Sequence, residues 1–168
     1  GTAAVVTFKA AKLKEGQRLY TNKGCASMGY DLPALLGALY AKSPLEKILI
    51  TGDGSIMMNL QELSSLRPFA KEDIKIFVLN NKGYHSIRQS QNNYFGGFEV
   101  GCGEDSNLFM PDLKKIAKAF DLKYLKVDSD KTLLKAISNK EKCIKFIEVI
   151  LDGSQGFEPR VTSKELPS

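Results

Sequence analysis

Four short runs of apolar residues, rich in isoleucine, leucine and valine, are spaced along the chain. They occupy residues 47–51, 74–79, 124–127 and 144–150. Runs of this length are typical of buried β-strands. The pattern therefore predicts four strands.

Between these runs, apolar positions repeat with the spacing of an α-helix. One stretch begins after Asp31, a residue type suited to the N-cap position. Another helix is predicted over residues 2–13 and is ended by Gly16. The periodic positions are Leu32, Leu35, Leu36, Leu39 and Tyr40 in one helix and Leu113, Ile116, Ala117 and Phe120 in another.

Strands that alternate with helices predict crossover connections and hence an α/β fold. We expect a doubly wound, mainly parallel sheet with helices on both faces, whose ligands bind beyond the carboxyl ends of the strands. The 168 residues fit one domain over 1–150, followed by a tail over 151–168 that lacks periodicity. Because the chain opens on a helix, we expect that the first strand of the domain is missing.

Residues 92–111 form a glycine-rich stretch with interleaved phenylalanines. A loop of this length in a compact domain is usually either functional or disordered.

The net charge of +5 comes from lysines that are scattered along the chain. A nucleic-acid-binding surface would need a basic stripe with interleaved aromatic residues, so the sequence argues against nucleic acid as a partner. The longest apolar runs are too short to span a membrane, and no leader peptide opens the chain. A soluble protein is expected.

The three cysteines, Cys25, Cys102 and Cys143, lie far apart and form no CxxC pair. Their odd number and spacing argue against a disulfide framework and against a zinc site. The reducing cytoplasm is the expected location.

A carboxylate follows the first predicted strand directly, in the sequence Gly52-Asp53-Gly54-Ser55, ahead of a helix predicted over 59–66. The glycines allow a tight turn that brings backbone N–H groups close to an anion, and Asp53 supplies a hard oxygen ligand. A GDG sequence alone is also a common turn. In this position it suggests Mg²⁺ on a diphosphate.

The next strand ends in the amide pair Asn80-Asn81. Such a pair often only caps a strand, but Asp53 and Asn81 lie 28 positions apart, the length of one crossover between neighbouring strand ends. One carboxylate and one amide oxygen leave most of the Mg²⁺ charge uncompensated, which favours a phosphate-bearing ligand.

This arrangement resembles the motif of thiamine diphosphate-dependent enzymes, which begins with Gly-Asp-Gly and closes with Asn-Asn. Residues 23–33, KGCASMGYDLP, resemble the Met-Gly-Tyr-x-Leu-Pro-Ala segment of the acetolactate synthase branch, and Ala34 continues it. Residues 52–63, GDGSIMMNLQEL, and residues 111–120 follow the same branch. The likeness spans nearly the whole chain and identifies the C-terminal, diphosphate-binding domain.

The resemblance implies roles for individual residues. Asp53 and the side chain of Asn81 would bind Mg²⁺, with the carbonyl oxygen of Gly83 as the third protein ligand. Gly54 and Ser55 would hold the diphosphate.

On the other side of the cofactor, the resemblance implies that Met28 supports the bent conformation and that the carbonyl oxygen of Ala26 accepts a hydrogen bond from the aminopyrimidine. Met28 also has a simpler interpretation as an ordinary core residue. The lone histidine, His85, is a weaker candidate for a substrate-side role, because a single histidine is more often structural.

The resemblance further implies a transferase or lyase that decarboxylates a 2-keto acid on the cofactor and joins the product to an acceptor. In the family, the glutamate that activates the aminopyrimidine comes from a separate pyrimidine-binding domain, usually of a partner subunit, so a homodimer or homotetramer is expected and this domain alone should be inactive. Glu62 does not match that glutamate.

The residues after Asn81 depart from acetolactate synthases and are closer to a looser group of synthase-like enzymes, some of which act in carbohydrate or surface-polysaccharide pathways. The alternative is a non-catalytic module that binds a nucleotide or regulates a partner. Its dinucleotide-binding version requires a G-x-G-x-x-G sequence after a strand, and the chain has none.

Overall fold

A computed structural model describes residues 1–22 and 24–156, and these residues form a parallel four-stranded sheet. The strands are β1 (Lys47–Gly52), β2 (Ile74–Asn80), β3 (Lys123–Val127) and β4 (Ile144–Ile150), in the spatial order β1-β2-β4-β3. All four predicted strands are confirmed to within one residue. The α/β class and the parallel sheet are confirmed as well.

Six α-helices and two 3₁₀ segments precede or connect the described strands. The helices are α1 (Thr2–Ala10), α2 (Asp31–Tyr40), α3 (Asp53–Ile56), α4 (His85–Tyr94), α5 (Leu113–Ala119) and α6 (Asp130–Ser138), and the 3₁₀ segments are Met57–Phe69 and Glu104–Ser106.

Side-chain alternation along the strands builds one core on each face of the sheet. On the first face, alternate residues of β2 such as Ile74 and Ile76 pack with α2, α5 and the 3₁₀ segment Met57–Phe69. On the second face, Phe77 and its neighbours pack with α6. The sheet is therefore covered by helices on both faces, as predicted.

Two helix ends differ from the prediction. The first helix ends at Ala10 and not at residue 13, because Ala11 adopts an extended conformation (φ −66°, ψ 129°). Asp31 lies inside the first turn of α2 and not at the N-cap, which is Tyr30. The Asp31 carboxylate instead accepts hydrogen bonds from the backbone N–H of Leu32 and from the hydroxyl of Thr51.

The helix predicted over 59–66 is also different in kind. Helix α3 has only four residues, and the chain continues as 3₁₀ turns with a break at Asn59 (φ −138°, ψ 40°). The side chain of Asn59 donates a hydrogen bond to the carbonyl oxygen of Gly29 at 2.7 Å. This long-range contact holds the non-helical conformation, which a local pattern does not reveal.

The predicted loop over 92–111 begins inside α4, which extends to Tyr94, and contains the short 3₁₀ segment Glu104–Ser106. Most of the predicted tail, residues 157–168, lies outside the described residues. Among the described residues, no helix has both the length and the apolar character needed to cross a bilayer.

The cysteines are free thiols in different surroundings. Cys25 is exposed, Cys143 is half-buried and Cys102 is buried.

Candidate functional site

Asp53 lies at the carboxyl end of β1, where the strand passes into α3, and its side chain is 3% exposed. Oδ1 accepts a hydrogen bond from the N–H of Gly54 at 2.8 Å, and Oδ2 accepts one from the N–H of Gly83 at 2.9 Å. The second bond joins the GDG sequence to the turn after β2. The two halves of the predicted motif therefore meet at one edge of the sheet.

Burial raises the pKa of Asp53 above its ordinary value of 3.8, although N–H groups of Gly54 and of residues 81–83 oppose the shift. The direction means that desolvation of the carboxylate outweighs four backbone donors. A cation at this position would remove that imbalance.

The turn after β2, which we call the NN turn, comprises residues 80–84. Lys82 (φ 62°) and Gly83 (φ 135°) both have positive φ, and the N–H of Lys82 donates to Oδ1 of Asn80 at 3.0 Å. This side-chain hydrogen bond to the second following residue is a local device that fixes a turn.

The two asparagines of the NN turn have different surroundings. Nδ2 of Asn80 donates to Glu148 on β4 at 2.6 Å, and the other oxygen of Glu148 accepts from the hydroxyl of Tyr124 on β3. By contrast, Oδ1 of Asn81 is buried, and no described group donates a hydrogen bond to it. Of these two side-chain oxygens in the described structure, that of Asn81 accepts no hydrogen bond, whereas that of Asn80 already accepts one from Lys82.

The predicted third ligand, the carbonyl oxygen of Gly83, accepts a hydrogen bond from the N–H of His85 at 3.2 Å. A carbonyl oxygen has a second lone pair, so this bond still leaves capacity for a cation. His85 itself is buried at the start of α4.

Close packing requires glycine at two positions of the site. A Cβ atom at Gly83 would lie 2.2 Å from the carbonyl oxygen of Cys102, and a Cβ atom at Gly54 would lie 2.4 Å from Cε1 of Tyr84. The N–H of Tyr84 also donates to the carbonyl oxygen of Cys102 at 2.8 Å. The NN turn is thus packed between α3 and the loop after α4.

The segment that carries Ala26 and Met28 is joined to the residues after Asp53. Oγ of Ser55 accepts a hydrogen bond from the N–H of Gly29 at 3.1 Å. Ala26 has a positive φ of 47°, and Met28 is 38% exposed and belongs to neither core. The interpretation of Met28 as an ordinary core residue is therefore wrong for this domain.

Glu62 lies on the 3₁₀ segment, where it accepts a hydrogen bond from Ser65 at 3.0 Å. The sequence did not reveal the chain of hydrogen bonds from Asn80 through Glu148 to Tyr124. The glutamate at 148, inside the mainly apolar run 144–150, is the sequence signal that could have indicated it.

A cavity of about 440 Å³ lies at the opposite, amino edge of the sheet. It is not part of the candidate site. Its lining residues, which precede the strands or begin them, include Glu46, Lys47, Asp73 and Lys140.

The site fits a hard divalent cation with phosphate as co-ligand. A buried acceptor oxygen on Asn81 and a desolvated carboxylate on Asp53 supply oxygen donors of the kind that Mg²⁺ prefers, and they are too few to complete its shell. Phosphate oxygens would supply the rest. The described residues hold no cluster of three or more His, Cys, Asp or Glu side chains placed for a metal.

Comparison with known proteins supports the resemblance to acetolactate synthases that the sequence indicates. The acetolactate synthase large subunit of Lactococcus lactis is 30% identical over 88% of this chain, and that of Cyanidium caldarium is 34% identical over 73%. A 3D-(3,5/4)-trihydroxycyclohexane-1,2-dione hydrolase of Lacticaseibacillus casei is 33% identical over 71%. The matched regions cover 25%, 20% and 19% of these relatives, so the chain spans a quarter or less of their length.

A family match covers most of the chain. Residues 1–149 match the family described as thiamine pyrophosphate enzyme, C-terminal TPP binding domain. The chain therefore belongs to this family, as a thiamine diphosphate-binding C-terminal domain of the acetolactate synthase-like branch.

Proposed function

We propose that this domain binds Mg²⁺ and the diphosphate of thiamine diphosphate in an enzyme that decarboxylates a 2-keto acid and joins the product to an acceptor. The observation that carries the proposal is that Oδ1 of Asn81 is buried and receives no hydrogen bond from a described group. Asn81 lies on the NN turn, which contacts the desolvated carboxylate of Asp53 through Gly83. A buried acceptor without a donor is costly unless a ligand satisfies it.

In this proposal, Asp53 and Asn81 hold Mg²⁺ through side-chain oxygens, and Gly83 does so through its carbonyl oxygen. Gly54 and Ser55 contact the diphosphate, since they form the first turn of α3 at the carboxyl edge of the sheet. The hydroxyl of Ser55 has a proton to donate to a phosphate oxygen while its lone pair still accepts from Gly29.

The remaining cofactor contacts are assigned to Ala26 and Met28. Ala26 is exposed and has a left-handed backbone conformation, and its carbonyl oxygen is assigned as the acceptor for the aminopyrimidine. Met28 offers an exposed apolar side chain beside it.

When bound, thiamine diphosphate supplies the nucleophilic carbon and the electron sink for decarboxylation. The residues of this domain bind and orient the diphosphate end. The activating glutamate is assigned to a pyrimidine-binding domain, contributed by a second subunit of a cytoplasmic homodimer or homotetramer. His85 is buried at the start of α4, so a substrate-side role for it requires that the substrate reach that helix end.

The names of the relatives bear on both parts of the proposal, the shared cofactor and the ligation step. Two are acetolactate synthases, which supports the ligation step, and one is a hydrolase of a trihydroxycyclohexane-1,2-dione. The shared domain is therefore proposed to serve the cofactor, while the acceptor depends on residues that differ between these proteins.

Calorimetric titration of the full-length protein with thiamine diphosphate and Mg²⁺ tests the proposal. The double variant Asp53→Ala, Asn81→Ala should lose Mg²⁺-dependent binding. The matched control Asp121→Ala, Asn93→Ala removes the same residue types from exposed positions and should bind normally. Unchanged binding by the first variant would overturn the site assignment. In a thermal-shift screen, stabilisation by NAD or ATP but not by thiamine diphosphate would favour a nucleotide-binding module.

A further inference from the structure

Arg88 lies on α4, four residues after the NN turn, and its side chain is 20% exposed. Its guanidinium contacts three backbone carbonyl oxygens. Nη1 donates to Gly153 at 3.2 Å, and Nη2 donates to Lys82 at 3.2 Å and to Cys102 at 3.4 Å. One side chain thus joins three separate segments.

These segments come from distant parts of the chain. Lys82 belongs to the NN turn after β2, Cys102 to the loop after α4, and Gly153 to the residues after β4. Without Arg88, the three segments lose their common donor.

The neighbouring backbone provides the space that the guanidinium occupies. A Cβ atom at Gly103 would lie 2.7 Å from Nη2 of Arg88. A Cβ atom at Gly153 would lie 3.2 Å from Nη1 and 3.1 Å from the carbonyl oxygen of Asn81. Side chains at these positions would displace the guanidinium, so the glycines and the arginine form one built arrangement.

The charge of the guanidinium is compensated nearby. Nε of Arg88 lies 3.8 Å from Oε2 of Glu99, whose side chain is 26% exposed. A planar fork with five donors can serve several carbonyl oxygens in fixed directions, whereas a lysine presents a single charged point. The geometry therefore depends on the shape of arginine and not only on its charge.

We propose that Arg88 is a positioning residue for the Mg²⁺ site, which holds the NN turn against the loop after α4 and the segment after β4 so that Asn81 and Gly83 face the cation. The inference rests on the proposed function. Groups that orient metal ligands from the second layer typically change metal affinity about 10- to 100-fold when they are removed.

Two measurements on the full-length protein test this role. The first is the Mg²⁺ dissociation constant in the presence of thiamine diphosphate, measured by calorimetry. The second is hydrogen exchange at the amide of Tyr84, which donates to Cys102 across the joint that Arg88 holds. The variants are Arg88→Met, which keeps the length but removes the donors, and Arg88→Lys, which keeps the charge.

We expect Arg88→Met to weaken Mg²⁺ binding about 10-fold or more and to accelerate Tyr84 exchange about 10-fold, with exchange in β2 and β4 unchanged. Arg88→Lys keeps the charge beside Glu99 but not the fork of donors, so it should also weaken Mg²⁺ binding. The control Arg67→Met removes an exposed arginine that pairs with Asp121, and it should change neither quantity.

Unchanged Mg²⁺ affinity in both Arg88 variants would overturn the positioning role. So would uniformly faster exchange throughout the sheet, or full recovery of affinity by lysine, because either result describes general stabilisation. Asp53→Ala, measured in the same titration, separates the two proposals. If Asp53→Ala leaves Mg²⁺ binding intact, the proposed site is wrong, and if only the Arg88 variants do so, this inference alone fails.

Discussion

Gly83 is the residue of the site whose backbone is most tightly constrained. Its φ of 135° is rarely adopted by residues with a side chain, and its Cα faces the carbonyl oxygen of Cys102. Because that oxygen belongs to backbone held by Tyr84 and Arg88, it has little freedom to move away. Any other residue at this position would therefore suffer both backbone strain and steric overlap.

We expect Gly83→Ala to destabilise the protein by at least about 2 kcal/mol, since both a strained φ and a buried overlap carry costs of this order. Gly37→Ala is the matched control. Gly37 lies inside α2 with open space around it, so alanine should stabilise that helix by up to about 1 kcal/mol. Urea unfolding of both variants measures the difference, and equal effects would contradict the steric explanation.

Glu148 is a second residue whose role depends on exact partners. It is 9% exposed and receives hydrogen bonds from Asn80 and Tyr124. Burial and the hydrogen bond to Glu148 raise the pKa of Tyr124, so the phenol stays protonated as a donor at any ordinary pH. The buried carboxylate thus depends on both donors.

Tyr124→Phe should cost about 1–3 kcal/mol, because it leaves one oxygen of a buried carboxylate without its donor. Tyr20→Phe is the control, since the hydroxyl of Tyr20 makes only a long, exposed bond of 3.4 Å to Ala34. We expect the control to change the free energy of unfolding by less than about 0.5 kcal/mol. A similar loss of stability in both variants would show that the cost of Tyr124→Phe does not come from the hydrogen bond to Glu148.

At the scale of elements, β2 and β4 each contain a lysine that is almost fully buried. Nζ of Lys145 lies 2.6 Å from Oδ1 of Asp73, and Nζ of Lys75 lies 3.1 Å from the same atom and also contacts Glu46. Burial would raise the pKa of Asp73, but hydrogen bonds from the two lysines outweigh it and lower the pKa below the ordinary 3.8. The Asp73 carboxylate therefore compensates a buried lysine charge on both β2 and β4, near the amino ends of these strands.

Asp73→Asn should destabilise the domain by about 3 kcal/mol near neutral pH, because it leaves a buried ammonium on Lys145 without its carboxylate. The folded-state pKa of Asp73 is lowered, so its contribution is complete above pH 3.8 and is lost as the pH falls through the lowered value. The stability difference between protein and variant should shrink in that window.

Denaturant unfolding as a function of pH measures this difference. Asp121→Asn is the control, because Asp121 and its partner Arg67 are 82% and 80% exposed and such pairs contribute little. A constant difference between protein and Asp73→Asn down to the acid limit would contradict the assignment.

The sequence was sufficient to predict the elements whose signal is local. The strands follow from apolar runs, and the meeting of Asp53 with the NN turn follows from parallel topology. The 3₁₀ segment after α3 could not be predicted, because Asn59 leaves helical geometry to reach Gly29, which is thirty positions away. The different roles of Asn80 and Asn81, and the joint at Arg88, likewise depend on partners in β4 and beyond it.

At the scale of the whole molecule, β1 is an edge strand of the described sheet. Ile48 and Ile50 on this strand are 52% and 39% exposed. An open edge with apolar side chains is a template for pairing with another strand. We therefore expect this edge to promote self-association.

We expect the isolated chain to self-associate as its concentration rises, and Ile50→Lys to reduce that association. Ile137→Lys is the control, because it removes an apolar side chain of similar exposure, 49%, from α6 and not from the edge. Sedimentation velocity over a range of concentrations compares the two. An equal reduction by both variants would indicate general stickiness and not edge pairing.

The pairing of β2 with β4 has a consequence for the order in which the site forms. Ile74 pairs with Ile144, so the central contact of the sheet joins residues 70 positions apart. The hydrogen bond from Asn80 to Glu148 and the one from Arg88 to Gly153 also cannot form until β4 and the residues after it have been synthesised. During synthesis, residues 52–55 and 80–81 leave the ribosome well before β4, the strand that pairs with β2 and whose Glu148 binds Asn80. The motif is thus complete in sequence long before it is complete in space, and the ability to hold the cofactor is among the last properties the domain acquires.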